Sequence, residues 1–298
     1  IFTTLLIFQL PKETFILQKN TKMTNEIYPC LWFDGKAHEA ATFYCSIFNH
    51  SRILTENPMV ALFELNGKKI MGLNGGPVFK MNPSISMFIH CTTQEECKRI
   101  WDQLSEGGTV LMPLNPYPWS ELYGWIQDKY GFTWQIMKGT EDRMMPAMLF
   151  TADQLGRAQE GLDFYTSLFK HSSIDSKNYY PEGSPFAGKL SYAEFKLDGY
   201  PMVAMEGPNE HNYTFNEGVS LVVNCQNQDE IDFFWNQLTS DGGSESMCGW
   251  CKDKFGVSWQ IIPYNIAEIM SDKNHGPTAM QAMLKMKKII KSFKQHQL

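Results

Sequence analysis

Cysteine, histidine, serine and glutamine side chains carry most of the chemistry open to this chain. Cys248-Gly-Trp-Cys251 has the C-x-x-C spacing of a dithiol that could cycle with a disulfide. That chemistry needs a thiolate of lowered pKa at a helix N-terminus. The pair leads instead into a strand pattern, and an internal repeat places Tyr123 and Ile126 at the matching positions, so the sequence predicts a structural role. Zinc would need a second such pair. His38, His90, His171 and His211 stand apart from one another in sequence. Lone histidines are more often surface or satisfied core groups than ligands, although a site combining His90 with Glu64 stays open. No G-x-G-x-x-G or G-x-x-x-x-G-K-[ST] phosphate loop occurs, and no G-x-S-x-G nucleophile elbow. The glycine-rich turn Gly72–Gly76 runs into Pro77 and Phe79 rather than a helix, so no helix dipole faces a phosphate there.

Two polar pairs remain. Strand parity points Ser86 with Gln135, and Ser220 with Gln260, toward an interior. Trp32, Phe63, Phe88, Trp119, Trp125, Trp134, Trp250 and Trp259 crowd the same strands. Most of these rings read as core, because aromatics supply large buried area in small sheets. A minority would line a concave apolar cavity with a few hydrogen-bonding groups, the usual make-up of a small-molecule site. The candidate ligand contacts are Ser86, Gln135, Trp32, Phe63, Trp125, Ser220, Gln260 and Trp250. No side chain is assigned a catalytic role, and no cofactor is expected.

The elements that must position them follow from periodicity. IYPCLWF alternates as a strand, and DGKAHEAATFYCSIF reads as an amphipathic helix with Ala40, Phe43, Tyr44 and Phe48 on one face. MVALFEL and KKIMGLN form strands joined by Asn66-Gly67, a strong hairpin signal. SISMFIHC alternates again, QEECKRIWDQL is a helix ended by Gly107-Gly108, and strands surround Trp125 and Trp134.

This unit is written twice. GWIQDKYGFTWQIM (Gly124–Met137) and GWCKDKFGVSWQII (Gly249–Ile262) share Gly-Trp, Asp-Lys, Gly and Trp-Gln-Ile. CTTQEECKRIWDQLSEGG answers CQNQDEIDFFWNQLTSDGG, and PCLWF…FYCSIF answers PAMLF…FYTSLF, in the same order. Two homologous domains are expected, about 23–142 and 143–265, each a β-α-β-β(-β) module followed by another. A helical tail, 266–298, has Ala279, Met280, Met283, Leu284, Lys287, Ile290 and Lys291 at 3–4 spacing, with Lys285, Lys288 and Lys294 on the other face. It reads as a helix packing on the second domain. Residues 1–22 read as a segment upstream of a start at Met23, or else as a membrane-associating or packing extension.

Composition narrows the class. With 298 residues, 43% hydrophobic and 19% charged, the chain can build a sizeable core. A net charge of −6 and pI near 5.7 argue against a nucleic-acid partner. No apolar run reaches the roughly 20 residues a membrane helix needs. Seven cysteines, an odd count at low density, suit a reducing, cytoplasmic compartment rather than a disulfide scaffold.

PCLWFDGKAHEAATFY, WxxLxxGG, DKxGxxWQ and AMQAMLKMKKI together resemble the PhnB-like family, often labelled 3-demethylubiquinone-9 3-methyltransferase, within the vicinal-oxygen-chelate superfamily of glyoxalase I, extradiol dioxygenases and bleomycin-resistance proteins. The resemblance spans about residues 26–290. It implies an α+β fold of two tandem vicinal-oxygen-chelate domains, each of paired βαβββ modules with curved mixed sheets and one pocket per domain. It also implies four inward strand positions for a divalent cation acting as a Lewis acid. Matched by local pattern, those positions hold Gln135, Ser86, Met71 and Ile27 or Pro29 in the first copy. In the second they hold Gln260, Ser220, Val203 and Met145 or Pro146. Few of these are hard-metal ligands, so no metal is expected at the usual place. The methyltransferase label implies a doubly wound parallel sheet, which the element order does not resemble. The expected function is metal-independent binding of a small aromatic or planar ligand, as a pseudo-twofold monomer or a homodimer. The alternative is a vicinal-oxygen-chelate enzyme of lyase, isomerase, dioxygenase or methyltransferase type.

Overall fold

The structure, a computed structural model, describes residues 25–207 and 212–290. The readings placed on residues 1–22, His211, Lys291 and Lys294 lie outside the described residues.

β-α-β-β-β modules follow one another along the chain. The first comprises β1 (Glu26–Phe33), α1 (Ala37–Ile47), β2 (Arg52–Glu56), β3 (Val60–Leu65) and β4 (Lys68–Asn74). The second comprises β5 (Ile85–Cys91), α2 (Gln94–Ser105), β6 (Thr109–Tyr117), β7 (Ser120–Gln127) and β8 (Thr133–Lys138). The third comprises β9 (Arg143–Phe150), α3 (Ala158–Leu168), β10 (Ser173–Tyr179), β11 (Leu190–Leu197) and β12 (Tyr200–Glu206). The fourth comprises β13 (Val219–Cys225), α4 (Gln228–Thr239), β14 (Ser244–Glu245), β15 (Trp250–Lys252) and β16 (Ser258–Pro263), followed by α5 (Ile266–Ser271) and α6 (Gly276–Met283). Local chemistry sets the ends of these elements. Asn66 and Gly67 both adopt positive φ, +48° and +71°, the conformation a tight hairpin between β3 and β4 requires. Thr93 caps α2 by accepting from the Glu96 N–H at 3.1 Å, and Asn227 caps α4 by accepting from the Glu230 N–H at 2.9 Å.

The strands form two mixed sheets of eight. Sheet I runs β14-β15-β16-β13-β1-β4-β3-β2, and sheet II runs β10-β11-β12-β9-β5-β8-β7-β6. Read from opposite ends, the two orders are the same. Each sheet therefore joins one module from each half of the chain, through the antiparallel pairs β1–β13 and β5–β9. The expectation of one pocket per sequence half is corrected accordingly: each sheet face draws on both halves. Parallel pairs occur at β1–β4, β5–β8, β9–β12 and β13–β16, and the other pairings are antiparallel, so neither sheet is a doubly wound parallel one.

Alternation along each strand separates two faces. Ile27, Leu31 and Phe33 of β1, Met144, Met148 and Phe150 of β9, and Trp134 and Ile136 of β8 join the helices in one continuous core. Asp128 and Asp253 lock that core. Asp128 Oδ2 accepts from the Tyr44 hydroxyl and Trp134 Nε1, both at 2.7 Å, while Oδ1 accepts from the backbone N–H of Tyr130 and Phe132. Asp253 repeats the pattern with Tyr165, Trp259, Phe255 and Val257. The repeated Asp-Lys-x-Gly-x-x-Trp motif is thus a turn lock that ties α1 to β8 and α3 to β16. Four donors on one carboxylate satisfy a group that burial alone would make costly.

The tail packs on the second half, but differently from its predicted form. α6 ends at Met283, well short of Lys291. The backbone N–H groups of Cys248 and Gly249 donate to the carbonyls of Met286 and Lys287, each at 2.7 Å, taking acceptors that a longer helix would have used internally. Gln228 donates to the Ile289 carbonyl at 3.1 Å, and Lys288 pairs with Asp232 at 2.7 Å. Among the described residues no helix is long and apolar enough to cross a membrane.

Candidate functional site

The faces turned away from the helices carry the candidate site residues. On sheet II, Phe88, Tyr123, Trp125, Met145, Ala147, Leu149 and Val203 form one cluster, with Met112, Tyr117, Met137, Tyr192, Met205 and Tyr213 packed against it. A polar chain crosses this apolar wall. Tyr123 donates its hydroxyl proton to Gln135 Oε1 at 2.7 Å, and Gln135 Nε2 donates to Ser86 Oγ at 2.8 Å. Gln135 is only 2% exposed, so these bonds are what make its burial tolerable. Trp125 lies beside Gln135 on the neighbouring strand. Burial pushes the Tyr123 hydroxyl above its ordinary range, which keeps it a donor.

Sheet I repeats the floor with different walls. Gln260 Nε2 donates to Ser220 Oγ at 3.0 Å, between Cys30, Met71 and Val222. Burial pushes the Cys30 thiol up to about 12, with hydrogen bonds from Gln260 and Ser220 acting in the opposite direction. Trp32 meets Trp250 edge-on at 5.9 Å and donates to the Gly76 carbonyl at 2.8 Å. Gly75 is required here, because a Cβ would occupy the Trp32 ring. Leu62, Met71 and Leu73 pack against the Cys30 and Val222 cluster, which holds one tyrosine, Tyr28, where sheet II gathers Tyr117, Tyr123, Tyr192 and Tyr213.

The implied metal positions regroup across the two halves. Ser86 lies opposite Ala147, which lies opposite Val203, so Ser86 and Gln135 share a face with residues of the second half. Cys30 lies opposite both Ser220 and Met71, which groups Ser220 and Gln260 with the first half. Ile27 points into the helix-side core, and parity puts Pro29 and Pro146 on the same side of their strands, whereas Met145 faces the other way. Each face thus offers a serine and a glutamine already bonded to each other, beside alanine and valine on sheet II or cysteine and methionine on sheet I. Such a set does not fit a hard divalent cation, which favours charged oxygen or imidazole donors. Among the described residues no group of three or more His, Cys, Asp or Glu side chains could hold a metal ion.

Ser86, Gln135 and Trp125 meet on sheet II, and Ser220, Gln260, Trp32 and Trp250 meet on sheet I. Phe63 is a correction: it alternates with Ala61 and Leu65 into the helix-side core, tilted against Tyr44 at 6.2 Å, and lines neither candidate site. Trp119 is 62% exposed and stacks on Tyr117 at 5.0 Å. Glu64 belongs to sheet I, bonded to Arg52 at 2.9 Å, and His90 belongs to sheet II, so the two do not form a site. Burial raises both the Cys248 and Cys251 thiols, opposite to the requirement of a redox pair. Sequence reasoning weighed His90 only together with Glu64 and passed over the tyrosines of sheet II. Their signal was the mismatch between the copies: His90 against Asn224, and Tyr123 against Cys248.

Paired βαβββ modules that share mixed sheets, with polar strand positions meeting on the face away from the helices, define a vicinal-oxygen-chelate protein. The family model described as 3-demethylubiquinone-9 3-methyltransferase matches residues 25–137 and again 142–262, and the chain belongs to this PhnB-like family in a tandem form. The PhnB protein of Bacillus cereus is 35% identical over 37% of this chain and 96% of its own, with a TM-score of 0.35. Glyoxalase I from Zea mays covers 84% of this chain and 98% of its own at 11% identity and a TM-score of 0.53, a likeness of fold. No curated protein matches the chain.

Proposed function

We propose that the chain binds a small planar aromatic molecule without a metal, against the face of sheet II that carries Ser86, Gln135 and Tyr123. The observation that carries this reading is the polar chain itself, set in a wall of aromatic and methionine side chains at the positions where a Lewis-acid enzyme would need charged donors. A planar ring would stack between that floor and Trp119, which lies in the β6–β7 turn, is 62% exposed and stacks on Tyr117. The face of sheet I, with Trp32 and Trp250 at one end, is the secondary candidate. Sites are ranked this way because sheet II keeps more polar handles among its rings. The family's name suggests methyl transfer, but the mixed sheets offer no crevice between diverging parallel strands for a nucleotide-like cofactor, which supports binding over that chemistry. A single chain already supplies both copies of the unit, which supports a pseudo-twofold monomer and leaves a homodimer as the alternative.

Titration with 2-methoxynaphthalene, followed by tryptophan fluorescence, tests the reading. Saturable quenching is expected in the wild type, with affinity roughly tenfold lower in Trp125→Ala. An absence of saturable change across a panel of fused-ring aromatics overturns it.

A further inference from the structure

The equivalent ends of the two faces are finished differently. On sheet I, Glu26 and Asn224 are cross-strand partners. Asn224 there is fully engaged: its Nδ2 donates to Glu26 Oε2 at 2.7 Å, its Oδ1 accepts from the Tyr28 hydroxyl at 3.5 Å, and its carbonyl accepts from Asn25. Lys69 closes the group by pairing with Glu26. On sheet II the matching cross-strand pair is Arg143 and His90. Arg143 is held by Glu194 at 2.7 Å and Glu141 at 3.4 Å, and Glu194 also accepts from the Tyr192 hydroxyl at 2.7 Å. His90 is 8% exposed, and its Nε2 has no hydrogen-bond partner. Burial of a ring nitrogen without a partner is unfavourable, and the other copy shows that this fold can satisfy the position. Burial lowers the His90 pKa, with Glu194 opposing and Arg143 adding to the effect, so the ring is neutral. Arg143, the cross-strand partner of His90, lines a cavity of about 250 Å³ together with Asn66, Lys68, Asp142, Met145 and Pro201. Met145 belongs at once to that cavity and to the aromatic wall.

Resting on the binding reading above, we propose that His90 is the specificity-determining residue of the sheet II site and that its Nε2 pairs with the ring hydroxyl of a phenolic ligand. A hydroxyl both donates and accepts, so it satisfies Nε2 in either neutral tautomer. Its remaining lone pair suits the Arg143 guanidinium across the strand pair, and its ring lies along Phe88, which meets His90 edge-on at 5.2 Å.

Paired titrations of the full chain with 2-naphthol and 2-methoxynaphthalene, equal in ring but not in donor, test this. Roughly tenfold tighter binding of 2-naphthol is expected, as one neutral buried hydrogen bond provides. In His90→Phe the ratio of the two affinities should fall to about one. In the unaltered protein, the His90 15N resonances should shift with 2-naphthol and stay in place with 2-methoxynaphthalene, a readout that needs no variant to fold. Equal affinities, or unmoved His90 resonances, with 2-methoxynaphthalene still bound, overturn the His90 assignment alone. Failure of both compounds to bind overturns the site together with it.

Discussion

Asp253→Asn should show what the repeated Asp-Lys-x-Gly-x-x-Trp motif does. Asn can still accept the Phe255 and Val257 N–H groups through Oδ1, and Tyr165 can rotate its hydroxyl to accept from the new amide. Trp259 Nε1 cannot turn around, so a buried donor that now sits 2.8 Å from Oδ2 is orphaned. That loss is worth about 1–3 kcal/mol. The pH dependence is the sharper signature. Burial raises the Asp253 carboxyl from its ordinary 3.8 to about 6, with hydrogen bonds from Trp259 and Tyr165 acting in the opposite direction. Between those values the folded state binds more protons than the unfolded state, so this group's contribution to stability falls as pH rises and levels off above about 6. The full shift corresponds to ~3 kcal/mol. Asn does not titrate, so the stability gap between wild type and Asp253→Asn should be largest near pH 4 and should shrink toward pH 7. Comparing the two proteins at each pH cancels the opposite trend from paired carboxylates such as Glu160, which Arg157 and Lys254 hold down at about 2. Urea unfolding followed by near-UV circular dichroism at pH 4.5 and 7.5 measures the gap. A gap that is constant, or wider at pH 7.5, refutes the reasoning.

Gln135→Leu strands the Tyr123 hydroxyl and Ser86 Oγ, so unfolding free energy should drop by about 1–3 kcal/mol in denaturant titrations. Aromatic-ligand affinity should fall with it. Phe63→Ala should cost about 3–5 kcal/mol by opening a cavity in the helix-side core, yet leave ligand affinity within twofold when titrated at low temperature. Cys251 should react with a thiol reagent only on global unfolding, and Cys248 faster, with no disulfide between them in mass spectra after air oxidation.

Much of this architecture is legible in the residues. Alternation in IYPCLWF and SISMFIHC assigns faces as well as strands, Asn66-Gly67 fixes a hairpin, and the repeated blocks define two copies. Pairing between sheets is another matter. Periodicity says which side of β1 faces the helices, but nothing in it says that β1 bonds to β13 rather than to a strand of its own half. Grouping Ser86 with Met71 therefore failed, although each was assigned to the correct face. Phe63 failed for a related reason: aromatic type suggested a pocket, while its parity with Ala61 and Leu65 already pointed to the core. The tail diverged because the carbonyls of Met286 and Lys287 found donors at Cys248 and Gly249, a tertiary competition that 3–4 spacing cannot register. His90 was legible only as a mismatch with Asn224, whose meaning depends on the unpaired nitrogen that the structure places next to Arg143.

The central claim is that the Ser86–Gln135–Tyr123 floor holds an aromatic ring with no cation. Binding isotherms of 2-methoxynaphthalene, recorded on protein as purified and again after exhaustive chelation with metal content measured in both, test it most directly. Superimposable isotherms are predicted. Binding that vanishes on chelation and returns with one equivalent of a divalent ion contradicts the claim.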